Sequence, residues 1–200
     1  MRKRVLVVGA SGTIGGAVVR ALEGEHEVLR ASRRKSEIAV DLSSQESIRA
    51  MFARAGALDA VVCAAGDARF KPFAQLTDED FAFSIRHKLM EQVDLTRIAL
   101  PLLRPAGSIT LTSGILARKP MPGSGVISLV NAGLEGFTRA AALEAPNGIR
   151  VNVVSPPWVT ETLAKLGMDT SIGLPADVVA RAYVASVTGS QTGEVIEPRG

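Results

Sequence analysis

A glycine-rich turn near the N-terminus limits what this chain can fold into more than any other feature. It lies between a short apolar, β-branched run at residues 4–8 and a helical pattern at residues 17–22. Glycines at a strand-to-helix turn let the backbone approach a pyrophosphate, whose charge the free N–H groups and the helix dipole stabilise. The turn therefore predicts a dinucleotide site, with a purely structural turn as the alternative. Its predicted cofactor contacts are Gly9, Ser11, Gly12, Thr13, Ile14 and Gly15.

Short apolar runs alternate with longer segments of helical period along the rest of the chain. This pattern predicts an α/β fold of the Rossmann type, a doubly wound parallel sheet with helices on both faces. The 200 residues suffice for one substantial core, so we expect a single domain over residues 1–200. Capping patterns at 43–46, 77–80 and 175–177 predict three helix starts. The predicted strands are 4–8, 27–31, 60–64, 108–112, 149–154 and 194–197.

Two arginines follow the second predicted strand, where an NAD site carries an acid for the ribose 2′-hydroxyl. The segment Ser32-Arg33-Arg34 contains no acid. A hydroxyl and two guanidinium groups suit a 2′-phosphate, so NADP(H) is favoured over NAD(H), with solvated loop charges as the alternative. Asp41 follows another apolar run and is placed either to accept from the adenine amino group or to begin a helix.

Composition argues against several classes of partner. The 23 basic and 20 acidic residues are interspersed, so the formal charge of +3 gives no concentrated field and no nucleic-acid partner is expected. No apolar run suits a membrane span or a signal peptide, and the lone Cys63 suits a reducing compartment, so we expect a cytoplasmic chain with no membrane partner. Two histidines and one cysteine, well separated, predict no metal site.

Several blocks of sequence resemble the short-chain dehydrogenase/reductase family in their order and spacing. They are GASGTIG at 9–15, DL at 41–42, CAAG at 63–66, LTRIALPLL at 95–103, ITLTSG at 109–114, GIRVNVVSPPWV at 148–159 and TGEVIEPRG at 192–200. The resemblance implies an NAD(P)(H)-dependent oxidoreductase that acts on a small carbonyl or alcohol substrate and forms a homodimer or homotetramer. It also implies cofactor contacts from Asp41, Leu42, Ala64, Ala65, Gly66, Lys88, Pro156, Val159 and Thr160.

The active-site positions of the family are only partly filled. Its serine falls on Ser113, its tyrosine and lysine fall on Ile127 and Asn131, and its asparagine falls on Lys88, so the lysine and the asparagine look exchanged. The resemblance implies that Ser113 orients the substrate oxygen while Asn131 and Lys88 lie beside the nicotinamide ribose. Lys88 is the best remaining candidate for proton delivery. The alternative is that Lys88 extends from an ordinary helix face.

Other side chains receive structural interpretations. The chain's one tyrosine, Tyr183, lies in the last predicted helix and is interpreted as a packing residue. His87 is interpreted as a surface or interface residue, and Trp158 either walls the substrate pocket or belongs to the core. A predicted helix at 122–143 carries an apolar stripe that suits both the core and a helix-to-helix dimer contact.

Three functions compete at this point. The first is an NADP(H)-dependent oxidoreductase with an atypical proton donor, and the second is a non-catalytic NADP(H)-binding sensor or regulatory protein. The third is an epimerase-like enzyme, suggested by the spacing of Gly9, Gly12 and Gly15, although the segment 161–174 is too short for a substrate domain. We favour the first because the residues around the nicotinamide position are rearranged rather than erased.

Overall fold

The computed structural model describes residues 1–200 and contains a single sheet of seven parallel strands. The strands are β1 (Arg4–Val8), β2 (Glu27–Ser32), β3 (Ile38–Ala39), β4 (Leu58–Cys63), β5 (Leu103–Thr112), β6 (Arg150–Val154) and β7 (Val195–Ile196). Their order across the sheet is β3-β2-β1-β4-β5-β6-β7, and every neighbouring pair is parallel. The predicted fold class, a doubly wound parallel sheet, is confirmed.

All six predicted strands are present, and two differences have simple causes. β3 was not predicted because two residues paired only with the end of β2 carry no periodicity. β5 begins five residues earlier than expected, at Leu103. Its pairing with β4 shifts register between Leu58 and Ala60, and Ala106 has a φ of 57°. An irregular strand of this kind breaks the apolar run from which strands are predicted.

Seven α-helices connect the strands. They are α1 (Thr13–Leu22), α2 (Gln45–Ala55), α3 (Asp78–Ser84), α4 (Glu91–Ala99), α5 (Gly125–Glu144), α6 (Thr160–Lys165) and α7 (Ala176–Thr188). Thr77 and Asp80 form the expected capping box of α3, and α7 begins directly after Pro175. At α2 the cap is Ser44, which accepts from the Ser47 N–H, so the expected box between Ser43 and Glu46 is wrong by one residue.

Separate apolar cores cover the two faces of the sheet, because side chains alternate in direction along each strand. Helices α2, α4 and α5 cover one face, where Ile48, Leu95 and Leu134 are buried against the strands. Helices α1 and α7 cover the other, where Val18 and Tyr183 are buried. None of the helices combines the length and the apolarity needed to cross a bilayer.

The strand order reverses at β1, which has β2 on one side and β4 on the other. The chain leaves β1 and β4 toward opposite faces, so a crevice opens outside their carboxyl ends. The glycine-rich turn follows β1, and the CAAG block spans the end of β4 and the loop beyond it. The fold therefore brings together two sequence blocks that lie about fifty residues apart.

Candidate functional site

A cavity of about 620 Å³ lies at the reversal of strand order. It joins the turn after β1, the end of β2 and the segment after β4. Most of the predicted cofactor residues line it: Gly9, Ser11, Gly12, Ser32, Arg33, Arg34, Leu42, Ala64, Ala65 and Gly66. Thr13, Ile14, Gly15, Asp41, Lys88, Pro156, Val159 and Thr160 lie outside this lining.

The glycine-rich turn is packed too tightly for side chains at two of its positions. Gly9 has a φ of 85°, and a Cβ there would lie 2.8 Å from the Ala64 carbonyl. A Cβ on Gly15 would lie 2.1 Å from the Gly9 oxygen, so α1 starts directly against the end of β1. The N–H groups of Thr13, Ile14 and Gly15 have no acceptor within the protein. Such a turn suits a bound anion.

The end of β2 presents positive charge to the cavity. Arg33 and Arg34 are exposed, and neither pairs with a carboxylate. The Ser32 hydroxyl donates to the Arg34 carbonyl and contacts Ser36 Oγ at 2.6 Å, which holds the loop in a compact form. The two guanidinium groups are therefore free for a ligand.

The opposite wall of the cavity contains a histidine paired with a glutamate. His87 lines the cavity, is partly buried, and contacts Glu91 Oε1 through Nδ1 at 2.8 Å. Burial raises the pKa of the Glu91 carboxyl, and the contact with His87 opposes that rise. His87 is partly exposed at this cavity, so its interpretation as a surface or interface residue stays a prediction.

Asp41 supports the start of α2. Its Oδ1 accepts from the Ser43 N–H at 2.9 Å and from the Ser43 hydroxyl at 2.7 Å. These hydrogen bonds lower the pKa of the Asp41 carboxyl. Of the two interpretations, the geometry favours the residue at a helix start, and the contact with adenine stays a prediction.

Ser113 lies directly after β5, and its hydroxyl has partners within the protein. Its side chain is buried, its hydroxyl donates to Glu135 Oε1 at 3.3 Å, and the Val154 carbonyl lies at 3.5 Å. The other oxygen of Glu135 lies 3.6 Å from Arg118 Nε. The role of Ser113 toward a substrate oxygen stays a prediction, and in this structure its hydroxyl is engaged within the protein.

Asn131 lies beside Gly114 at the end of β5. A Cβ on Gly114 would be 2.9 Å from Asn131 Nδ2, so a side chain there would displace this amide. Asn131 is 2 % exposed, and its Oδ1 has no hydrogen-bond partner. A buried amide oxygen without a donor is costly and suggests a donor from outside the protein. Ile127 lies one turn earlier on α5 and has no group that could transfer a proton.

Lys88 lies in the π-helical turn between α3 and α4, a distortion that often marks functional sites. Its stem packs against Gly66, where a Cβ would lie 3.2 Å from Lys88 Cγ. The ammonium group has no carboxylate within ion-pair distance. Burial lowers the pKa of Lys88 to about 8. Cys63 is the nearby thiol, and burial raises its pKa to about 12, so it stays protonated and is a poor nucleophile.

The segment after β6 approaches the same end of the sheet. The Val159 N–H has no acceptor, and Ser155 Oγ is buried without a partner. The Thr160 N–H donates to the Leu174 carbonyl, which argues against a ligand contact from the Thr160 N–H. Trp158 meets Phe70 edge to face with ring centroids 6.1 Å apart, and both rings are partly exposed. The geometry favours the interpretation of Trp158 as a wall of the opening.

Comparison with known proteins decides the family. The family model described as Enoyl-(Acyl carrier protein) reductase matches residues 13–195. The chain is 30% identical to the 3-oxoacyl-[acyl-carrier-protein] reductase FabG of Rickettsia conorii, covering 99% of this chain and 95% of that protein. It belongs to the short-chain dehydrogenase/reductase family.

Solved structures agree with this assignment. The protein lin1944 from Listeria innocua superposes with a TM-score of 0.94 at 38% identity, covering 98% of this chain and 99% of that chain. A small-chain dehydrogenase in complex with NADPH superposes with a TM-score of 0.88 at 28% identity, covering 98% and 96% of the two chains. The predicted resemblance to short-chain dehydrogenase/reductases is confirmed, and the chain is an oxidoreductase of this type.

The chain's one tyrosine cannot take the place of the family's proton donor. Tyr183 is fully buried in α7, and its hydroxyl contacts Thr112 Oγ1 at 2.7 Å. Because Thr112 Oγ1 donates to the Cys63 carbonyl, the Tyr183 hydroxyl is the donor to Thr112. Burial raises the pKa of Tyr183, so it stays a neutral phenol.

We expect Tyr183→Phe to lower stability without changing activity. Loss of one buried hydrogen bond costs about 1 kcal/mol, and the melting temperature falls by about 2–4 °C. Thermal unfolding and turnover are measured on the same preparation. A variant that keeps its melting temperature but loses turnover would contradict the packing role.

Proposed function

We propose that this short-chain dehydrogenase/reductase uses NADP(H) to reduce a carbonyl group or to oxidise the matching alcohol of a small-molecule substrate. The observation that carries the proposal is the cavity at the reversal of strand order, which unites the glycine-rich turn with Arg33 and Arg34. The segment Ser32-Arg33-Arg34 carries no acid of its own that would repel a 2′-phosphate. The solved relative in complex with NADPH supports the same choice of cofactor.

The residues of the site suit a nicotinamide dinucleotide along its whole length. The free N–H groups of Thr13 and Ile14 suit the pyrophosphate, and the Val159 N–H suits the carboxamide. The unpaired Oδ1 of Asn131 would accept from a ribose hydroxyl. When bound, the cofactor supplies or accepts the hydride.

Lys88 is the proposed proton carrier at Nζ. Burial lowers its pKa to about 8, so both its protonated and neutral forms are present near neutral pH. The protonated amine would donate to a carbonyl oxygen during reduction, and the neutral amine would accept from an alcohol during oxidation. Trp158 and Phe70 would limit water on the open side of the site.

A non-catalytic NADP(H)-binding protein is the second candidate. Two observations favour a non-catalytic protein. Tyr183 is buried and hydrogen-bonded to Thr112, and the Ser113 hydroxyl donates to Glu135. In that case the cofactor would bind as described, and no carbonyl substrate would be turned over. Binding and turnover must therefore be measured separately.

We expect the chain to bind NADPH more tightly than NADH. Arg33→Ala should lower the affinity for NADPH about tenfold. A charge-assisted hydrogen bond contributes about 1.5–3 kcal/mol, which is at least tenfold in affinity. NADH lacks the 2′-phosphate, so its affinity stays unchanged. Fluorescence titration of both cofactors provides the measurement.

The matched control for this experiment is Arg54→Ala. Arg54 is exposed at the end of α2 and makes no side-chain hydrogen bond or ion pair. Arg54→Ala removes the same charge from a residue that does not line the cavity. Equal affinity for NADPH and NADH in the natural chain would refute the choice of NADP(H), and binding of neither would refute the proposed function.

We further propose that copies of the chain associate through α5. Val126, Val130 and Leu134 of its apolar stripe are buried, whereas Leu129 is 46% exposed. The exposed Leu129 extends the apolar stripe to the protein surface, which suits a helix-to-helix contact between copies.

A further inference from the structure

The short helix α6 carries a lysine that reaches the glycine-rich turn. Lys165 lies in the last turn of α6, and its Nζ donates to Thr13 Oγ1 at 2.7 Å. Thr13 is the first residue of α1 and is 152 positions away along the sequence. The hydrogen bond joins the segment after β6 to the start of the predicted phosphate site.

The charge of Lys165 is not balanced by any acid. No carboxylate lies within ion-pair distance of its ammonium. Glu161, one turn earlier on α6, accepts from the Ala176 N–H with both oxygens at 3.0–3.1 Å. Asp177 at the start of α7 pairs with Arg20. The one polar partner of Lys165 is a neutral hydroxyl.

The Thr13 hydroxyl that accepts from Lys165 lies at the start of α1, next to free backbone N–H groups. Thr13 stands beside three backbone N–H groups that have no acceptor, its own and those of Ile14 and Gly15. These groups and the dipole of α1 attract an anion, and the ammonium adds a full positive charge at the same place. A lysine next to a neutral hydroxyl gains little, whereas a lysine next to a phosphate gains a charge-assisted hydrogen bond.

We propose that Lys165 binds the cofactor's pyrophosphate from α6, with Thr13 positioning its ammonium. The inference rests on the proposed function, because it requires a dinucleotide at the glycine-rich turn. It goes further by assigning a phosphate contact to α6, a helix that contributes nothing to the lining of the cavity. Glu161 is excluded from that role by its charge and by its contact with α7.

The test compares two ligands that share the 2′-phosphate but differ in the pyrophosphate. NADPH contains both groups, whereas adenosine 2′-monophosphate contains no pyrophosphate. Lys165→Met should weaken NADPH binding by about tenfold, the size of one charge-assisted hydrogen bond, and leave adenosine 2′-monophosphate unchanged. Lys165→Arg should restore most of the NADPH affinity, since it keeps the charge. Dissociation constants are measured by calorimetry on the full chain.

Two controls make the result specific. Arg54→Met removes one positive charge from an exposed helix end and should leave both affinities unchanged. Arg33→Ala should weaken both ligands, because both carry the 2′-phosphate. Higher salt should reduce the difference between the natural chain and Lys165→Met, because salt screens an exposed charge.

Three results would overturn the inference. Unchanged NADPH affinity in Lys165→Met would mean that the lysine only tethers α6 to α1. Tighter NADPH binding would mean that the lysine competes for the phosphate position, and equal weakening of both ligands would indicate a general effect on the site. Failure of the natural chain to bind NADPH would overturn the proposed function itself, so the two failures are distinguishable.

Discussion

Replacing Lys88 with methionine is expected to lower kcat for carbonyl reduction by about a hundredfold or more. General acid catalysis by a positioned side chain contributes about 10²–10⁴ in rate, and no other proton donor lies at the expected place. Ile127 has no acidic group, Ser113 donates to Glu135, and Tyr183 donates to Thr112. Turnover is measured at saturating NADPH, so a weaker cofactor contact does not enter the result.

The pH dependence of the same reaction is an independent test of Lys88 as the proton carrier. Burial lowers the pKa of Lys88 to about 8, so the amine loses its proton as pH rises through that value. Reduction needs the protonated form, and its rate should fall across this range. Oxidation of the alcohol needs the neutral form, and its rate should rise across it. In Lys88→Arg both rates should lose this pH dependence, because a guanidinium does not titrate near pH 8.

Lys119→Met is the matched control for Lys88→Met. Lys119 is exposed after the 3₁₀ turn Ile115–Ala117 and makes no side-chain hydrogen bond. We expect its kcat to equal that of the natural chain. A normal kcat in Lys88→Met would assign Lys88 to ordinary helix packing. Tight NADPH binding without turnover of any carbonyl in a broad panel would favour the non-catalytic function.

The cavity lining could be predicted from the sequence because its residues lie in short blocks at strand ends. The turn at 9–15 and the segment Ser32-Arg33-Arg34 each follow directly on a strand, and strand ends of a parallel sheet meet at one edge. The position of each block in the fold therefore follows from the strand that precedes it in the sequence. The π-helical turn Ile85–Met90, which contains His87 and Lys88, has no sequence pattern that distinguishes it from a regular helix.

The contacts of Ser113, Asn131 and Lys165 could not be predicted in the same way. Ser113 matches a motif, yet its hydroxyl meets Glu135, which lies 22 positions further along the chain. Gly114, the next residue, is the one that lies beside Asn131. The contact between Lys165 and Thr13 depends on the folded path of α6, which no local pattern encodes.

Gly15→Ala is expected to cause the largest loss of stability and to abolish tight cofactor binding. The added methyl would lie 2.1 Å from the Gly9 oxygen and 2.6 Å from the Gly9 carbonyl carbon. Both are backbone atoms at the end of β1, so α1 would have to move away from the sheet. Overpacking of this kind costs about 1–3 kcal/mol or more, and the melting temperature should fall by about 5–10 °C.

The neighbouring Gly16→Ala separates this steric effect from the general effect of an added methyl. A Cβ on Gly16 would meet its nearest atom, the Ala10 oxygen, at 3.6 Å, which is an ordinary contact. Alanine is the better helix former, so Gly16→Ala should keep NADPH affinity and gain up to about 1 kcal/mol in stability. Thermal unfolding and NADPH titration are compared for both variants. Equal behaviour of the two would show that α1 does not need close contact with β1, and the pyrophosphate would then have to be held by side chains rather than by the turn.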